Sequence, residues 1–297
     1  MPHHRLFLQA LLSLAISLNF SAIAKAQTGE ETALPSFRVM SFNIRQGAAN
    51  DGKNSWPQRR ELLLKTIKTF SPDLLGTQET QRMQADFLQA QLPDYQYVGK
   101  SRTPNNRADE QCAIFFRRDR FVDLEQGHFW LSKTPRVPGS KSWDSSLPRI
   151  ATWVRLFDRK TKKEIFWINA HFDHEGEIAR EQSAIIIRDQ IERLSNSPSI
   201  VTGDFNASVS SKPHQILLRP GNPITLVDTY STLHPTASKN EGTFNGFRGF
   251  RGSQRIDWIL ASTDFTVRKA MIVTDHDDDR YPSDHFPVTA VLSLPAK

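Results

Sequence analysis

The 297-residue chain has a single cysteine, Cys112, so no disulfide within the chain can hold the fold together. Stability has to come from a packed core or a bound metal. Cys112 leads the apolar run Ala113-Ile114-Phe115-Phe116, which reads it as a buried structural thiol rather than a nucleophile. Long apolar runs are scarce too. Residues 6–24 form the only one, broken by Gln9, Asn19 and serines, and it barely reaches the length that crosses a bilayer. No Gly/Ser linker, internal repeat or low-complexity tract divides the remainder, so one large domain is the default. Charge of one sign is in small excess, +6 overall. That suits an anionic substrate and is too weak to argue for nucleic acid by itself. Zinc has little to bind. The histidines are dispersed, and the one close pair, His171-x-x-His174, sits at a strand end and not on a helix.

The first apolar run reads as a leader. A short basic start with Arg5 precedes it, Ala24-Lys25-Ala26 offers a small-residue cleavage site, and no basic stop-transfer flank follows. The alternative is a retained anchor. No cysteine near the site suggests a lipid. The expectation is a secretory signal over 1–26, a linker over 27–36 and one domain over 37–297, exported to the periplasm or beyond. Loss of Arg5 and Lys25 leaves a mature charge of about +4.

Periodicity predicts strands near 37–44, 73–77, 95–99, 112–117, 121–131, 150–157, 164–170, 200–204, 255–261, 265–273 and 287–294, with 224–230 extended. Helical spacing covers 56–70, 81–92 and 177–194, and 213–218 suits a short helix. Strands interleaved with a few helices and several hairpins indicate an α/β layered sandwich and not a purely doubly wound sheet.

Ile200-Val201-Thr202-Gly203-Asp204-Phe205-Asn206 is the most informative stretch. Alternation puts Asp204 and Asn206 on one face and Phe205 on the other. A carboxylate and a carboxamide at a strand end can hold a water, a metal aquo-ion or a phosphate oxygen. Alone, the segment equally suits an Asx turn. Its company is what counts: Asn43, Glu79, His171, Asp257 and Asp284-His285 also sit just beyond apolar strands. Rigid strand ends collect functional side chains. Oxygen donors with dispersed histidines are what a hard divalent ion and a phosphate ester require.

In order, Asn43, Gln78-Glu79, His171, Gly203-Asp204-Phe205-Asn206, Arg255-Ile256-Asp257 and Ser283-Asp284-His285-Phe286-Pro287 resemble the motifs of the endonuclease/exonuclease/phosphatase superfamily, the deoxyribonuclease I-like fold. The resemblance runs over about residues 37–294. Asn54-Ser55-Trp56-x-x-Arg59-Arg60 and His171-Phe172-Asp173-His174 resemble a bacterial branch similar to the deadenylase and nocturnin group. This implies a four-layer α/β/β/α sandwich, two packed mixed β-sheets flanked by helices, and phosphoester hydrolysis with Mg²⁺ or Mn²⁺. It implies Glu79 as the main metal ligand and Asp284 as a second metal-side carboxylate, with Asn43 helping to hold the metal or a scissile phosphate oxygen. Asp204 would orient and partly deprotonate the attacking water, and Asn206 would position phosphate or water. His285 would bind the phosphate with its other ring nitrogen held by Asp257, and His171 would stabilise charge on the phosphoryl oxygens or near the leaving group. Arg45 stands where the repair-type endonucleases carry an acid, which argues against abasic-site cleavage.

Arg45, Phe244 and Arg248 are candidate substrate-binding residues, the latter two from a glycine- and aromatic-rich loop that could stack on a base or bind phosphate. Trp143 and Arg149 are placed at the same mouth, Asp173 and His174 behind His171, and Asp277-Asp278-Asp279 in a solvated turn. The expected function is an exported, monomeric phosphodiesterase on nucleic acid or nucleotides. The alternatives are a phosphomonoesterase or headgroup hydrolase on sugar, inositol or phospholipid phosphates, and a binding protein that has lost catalysis.

Overall fold

Along β1 (Ser36–Asn43), Phe37 and Val39 point one way, Met40 and Phe42 the other, and all four are fully buried. A strand apolar on both faces has to be covered on both. The rest of the molecule supplies the covers. The computed structural model describes residues 35–106, 108–221, 224–236 and 238–295. The expected leader and most of the linker lie outside them.

After β1 come a single 3-10 turn (Gly52–Asn54), α1 (Trp56–Phe70), β2 (Leu74–Thr80), α2 (Arg82–Gln91), β3 (Tyr95–Val98), β4 (Gln111–Arg117) and β5 (Phe121–Trp130). β6 (Ile150–Asp158), β7 (Lys163–His171), α3 (Glu177–Leu194), β8 (Ser199–Asp204), α4 (Lys212–Leu218), β9 (Leu226–Asp228) and α5 (Thr229–Leu233) follow. β10 (Asp257–Ser262), β11 (Thr266–Ile272) and β12 (Val288–Ser293) complete the set. Two six-stranded sheets result, ordered β11-β12-β1-β2-β4-β3 and β5-β6-β7-β8-β10-β9. Each is mixed, with one parallel pair at its centre, β1 with β2 and β7 with β8.

The inner faces meet in a core that includes Phe37, Val39, Leu74 and Ile114 from one sheet and Val154, Ile165, Trp167 and Ile200 from the other. Outside, Met40, Phe42, Leu75 and Phe115 pack on Leu63, Ile67 and Leu88 of α1 and α2. On the far side, Phe166, Ile168 and Val201 pack on Ala184, Ile187, Ile191 and Leu217 of α3 and α4. The expected α/β/β/α sandwich is the fold. One polar side chain pins the two sheets together near the site. Asn169 Nδ2 donates to the Thr77 and Ala113 carbonyls at 2.9 Å, and its Oδ1 accepts from Gln78 Nε2 at 2.7 Å and Thr202 Oγ1 at 3.0 Å. A buried amide with all these bonds made holds one register between the sheets.

One local expectation fails. Sequence pattern makes 224–230 extended throughout, but β9 stops at Asp228, whose carboxylate accepts the Tyr230 and Ser231 N–H groups and caps α5. A side chain that satisfies two orphan donors starts a helix even in a β-branched neighbourhood. Cys112 is buried as expected, and burial pushes its thiol up to about 12, leaving it inert. Among the described residues no helix is long and apolar enough to cross a membrane.

Candidate active site

β1, β2, β7 and β8 all end at one edge of the sandwich, delivering Asn43, Glu79, His171 and Asp204. β10 and β12 run the other way, so it is their starts that arrive there. Asp257 stands directly opposite Asp204 in the ladder, and Asp284-His285 lie just before β12.

Gly203 has a reason to be glycine that its backbone angles do not supply. It pairs with Ala170 of the parallel strand β7, and a Cβ there would run into the Ala170 carbonyl oxygen. We predict that Gly203→Ala forces β7 and β8 apart and lowers the unfolding free energy by about 1–3 kcal/mol. Turnover should drop with it, because Asp204 is the next residue. A melting temperature within a degree of wild type would contradict this.

Strain gathers at the same edge. Arg45, Glu79 and Asn206 have φ of +51°, +57° and +47°, a region that costs a non-glycine residue of the order of 1–3 kcal/mol. Glu79 reaches it through a bulge. The β2–β4 register breaks between Thr77 and Thr80, which frees Gln78 to turn inward to Asn169 and Glu79 to turn outward. Arg59 supports the loops. Its guanidinium is buried and donates to the carbonyls of Ile44, Arg45, Asn54 and Pro282, so one side chain ties the β1 end to the segment before Asp284. Burial lowers that guanidinium to about 10, still charged at neutral pH.

Asn43 Nδ2 donates to Glu79 Oε1 and to Asp204 Oδ2, both at 2.9 Å, and its Oδ1 accepts the Arg45 N–H. Asn43 therefore acts here as a donor that orients two carboxylates. The second Glu79 oxygen accepts the Gln46 N–H. Asp204 Oδ1 accepts the Asn206 N–H at 2.9 Å. His285 Nδ1 lies 2.9 Å from Asp257 Oδ2, and its Nε2 lies 3.7 Å from Asp204 Oδ2.

Charge in this cluster follows from burial and neighbours. Burial raises the Asp204 carboxyl and the adjacent Asp257 carboxylate raises it further, well above the ordinary carboxylate range. Burial pulls the His285 imidazole down, but Asp257, Asp204 and the hydrogen bond to Asp257 outweigh it, and the ring stays protonated well above 6.5. His171 goes the opposite way. Burial, then Arg149 and Arg102, hold it far below 6.5 and neutral. Its tautomer follows from geometry. Asn206 Nδ2 must face the Phe172 carbonyl, which can only accept, so its other N–H points at His171 Nε2, 3.0 Å away. That nitrogen carries the lone pair and the proton is on Nδ1.

These groups open into a cavity of about 420 Å³ lined by Arg45, Glu79, His171, Asp204, Asn206, Phe244, Asp284 and His285, with Gln46, Arg102, Glu110, Leu147, Arg149, His174 and Ile256. Asn43 and Asp257 lie beneath this lining. Phe244 is half exposed and meets the His285 ring edge-on at 5.2 Å between centroids. Arg248 is exposed and does not line the cavity, and neither does Trp143. The loop turns back at Asn245, whose N–H bonds the Asp284 carbonyl, and this carries Arg248 away. Asp173 makes no hydrogen bond to His171. It accepts from Ser146, Gly176 and Arg149, while His174 accepts from Arg149. Sequence patterning misses Arg102 and Glu110, which lie on a loop between strands with no motif around them. The run Asp277–Asp279 is exposed, with Lys53 on Asp279.

Residues 40–285 match the Endonuclease/Exonuclease/phosphatase family. The chain belongs to this family. A mannosyl-6-phosphatase from Bacteroides thetaiotaomicron superposes with a TM-score of 0.79 at 34% identity, covering 87% of this chain and 100% of that one. The family relatives also include Carbon catabolite repressor protein 4 homolog 1 of Arabidopsis thaliana, 25% identical over 70% of this chain and 42% of that protein. Nocturnin of Xenopus laevis is 26% identical over 60% of this chain and 50% of its own length. The chain thus spans about half the length of these two curated relatives.

Proposed function

We propose that this member of the family is an exported, monomeric hydrolase of phosphate monoesters on small polyhydroxylated molecules, sugar phosphates foremost. A divalent ion assists, and a water held by Asp204 attacks in line. The charge pairing of the cavity wall carries the substrate reading. Arg45 is bonded to Asp51, Arg102 to Asp109 and Glu110, and Arg149 to Asp173. Every guanidinium in the described lining is therefore already balanced by a carboxylate. His285 can take one phosphate, and no unbalanced guanidinium is left for a neighbouring one. A polynucleotide draws its affinity from successive phosphates. A sugar monophosphate needs one anion site and a polar, neutral surround. The likeness to the mannosyl-6-phosphatase over its whole length supports the same class. Export rests on the leader-like composition of residues 1–26.

The residues fit a hard divalent cation at Glu79. Asp284 is held above the usual carboxylate range by burial and by the Glu79 carboxylate near it. Two acidic groups that crowd each other in a largely buried cavity form an oxygen donor set of the kind Mg²⁺ or Mn²⁺ prefers. When bound, the ion supplies charge neutralisation to the phosphoryl oxygens. Asp204, Asp257 and His285 also bring donor atoms within 4.8 Å of one another. There, however, the His285–Asp257 hydrogen bond already uses the facing atoms, as suits a phosphate-binding imidazolium and its partner.

Around the phosphate, the chain's own residues divide the work. Asp204 accepts the proton of the attacking water, and the Asn206 and Asn43 N–H groups hold its carboxylate in place. Protonated His285 faces the phosphoryl oxygens, and neutral His171 lines the same cavity beside Asn206. A second reading, hydrolysis of nucleotides or nucleic acid, draws on the exposed Phe244 ring at the rim, where a base could stack.

The test is a panel of hexose 6-phosphate, p-nitrophenyl phosphate, bis-p-nitrophenyl phosphate and single-stranded RNA, with Mg²⁺ and with chelator. Monoester turnover is expected, abolished by chelator and at least about tenfold faster than any diester. Diester rates above the monoester rates would move the assignment to the second reading. No metal-dependent turnover at all would remove the enzyme reading.

A further inference from the structure

We propose that Arg102 and Glu110 form a hydroxyl-reading fork that sets specificity, recognising a vicinal pair of hydroxyls on the leaving group of the substrate. The proposal rests on the monoester reading above. Arg102 NH1 and NH2 donate to the two Glu110 oxygens at 2.8 and 3.1 Å, and Nε donates to Asp109 at 3.1 Å. The two side chains are only 10% and 15% exposed, yet both line the catalytic cavity. Planar fork-to-fork pairing of this kind is geometrically stiff.

The loop that carries the pair is stiff as well. The Arg102 N–H donates to the Glu110 carbonyl at 3.0 Å, and the Arg102 carbonyl accepts Trp130 Nε1 at 2.7 Å. Nothing in the catalytic scheme uses this pair, and the desolvation cost of a buried ion pair can match its attraction, so stability alone does not account for it.

Charge decides what the pair can bind. The guanidinium is already paired with carboxyl groups on both sides, so the corner offers no free positive charge to a second phosphate. Hydrogen-bonding capacity decides the rest. A guanidinium has five N–H donors and an ionised carboxylate about four acceptor sites. The internal bonds use three of those donors and two Glu110 acceptor sites, leaving unused donors and acceptors side by side. Hydroxyls donate and accept at once, and two adjacent ones match that arrangement. Leu147 and Ile256 in the same cavity give the apolar face of a sugar ring something to lie against.

The experiment compares hexose 6-phosphate with p-nitrophenyl phosphate, a monoester that has no hydroxyls to read. Glu110→Gln should lower kcat/KM for the hexose phosphate about 10–100-fold and leave p-nitrophenyl phosphate within about threefold. Equal losses on both substrates, or no loss on either, would overturn the fork, while wild-type rates on the two monoesters would still uphold the phosphatase reading. Should Glu110→Gln not fold, wild-type protein tested on a series of monodeoxy hexose 6-phosphates decides the same question. At least one should fall about tenfold or more, and all remaining within about threefold of the parent would overturn the proposal. A wild-type enzyme with no turnover of either monoester would overturn both readings together.

Discussion

Asp204→Asn is expected to reduce kcat about 10²–10⁴-fold on any phosphoester the wild type accepts, the range seen when a general base is lost. The substitution keeps the volume and removes the proton acceptor. It also has a structural cost. Asp204 accepts the Asn206 N–H on one oxygen and Asn43 Nδ2 on the other, so either orientation of the new amide sets its NH₂ against a donor. That mismatch should cost about 1–3 kcal/mol of stability, so thermal unfolding has to be recorded alongside turnover. The wild-type pH profile carries an independent sign. In the proposed mechanism Asp204 is ionised to take the proton, and burial and Asp257 raise its pKa. The rising limb of kcat/KM should therefore lie toward neutral pH and not near the ordinary carboxylate pKa of about 4. A folded variant within tenfold of wild type would mean another group accepts the proton.

The parts of this site that could be read from sequence are those set by single strands. Asn43, Glu79, His171, Asp204, Asp257 and His285 each follow or begin an apolar run, and period-2 alternation alone puts Asp204 on the same face as Ile200. Three things depend on tertiary contact and were out of reach. Asn206 lies beyond the end of β8 in a left-handed conformation, so alternation does not place it. Its position comes from the Phe172 carbonyl. The amide orientation of Asn43 is decided by the Arg45 backbone N–H. The cavity wall is the largest gap. Arg102 and Arg149 sit 47 positions apart in loops, and only the fold brings them to one cavity. The sequence reading does place Arg149 at this mouth, where it lines the cavity, while Arg102 has only a local signal, Asp109-Glu110 close behind it in the chain. Arg248 shows the converse. Its composition suggested phosphate binding, and the turn at Asn245 carries it away from the cavity.

Replacing Asp257 by Asn tests the other half of the chemistry, with an expected loss of about 10²–10³-fold in kcat/KM at pH 8. Asp257 accepts from His285 Nδ1 at 2.9 Å, while its own Oδ1 is buried with no hydrogen-bond partner. An orphaned carboxylate oxygen costs stability, and a neutral amide would suit the position better if shape were its only task. What the carboxylate adds is charge. Burial drives the His285 proton off, and Asp257 is the strongest of the groups that keep it on. Without that charge the imidazole pKa falls. In the proposed mechanism His285 is protonated to hold the phosphoryl oxygens, so activity should then be lost at a lower pH than in wild type. The falling limb of the kcat/KM profile is thus expected to move down in Asp257→Asn, with more of the rate recovered at pH 6 than at pH 8. A purely structural role would scale the whole profile and leave the limb in place. An unmoved limb would show that Asp257 positions the ring without setting its charge, and the phosphate would then be met by a neutral imidazole.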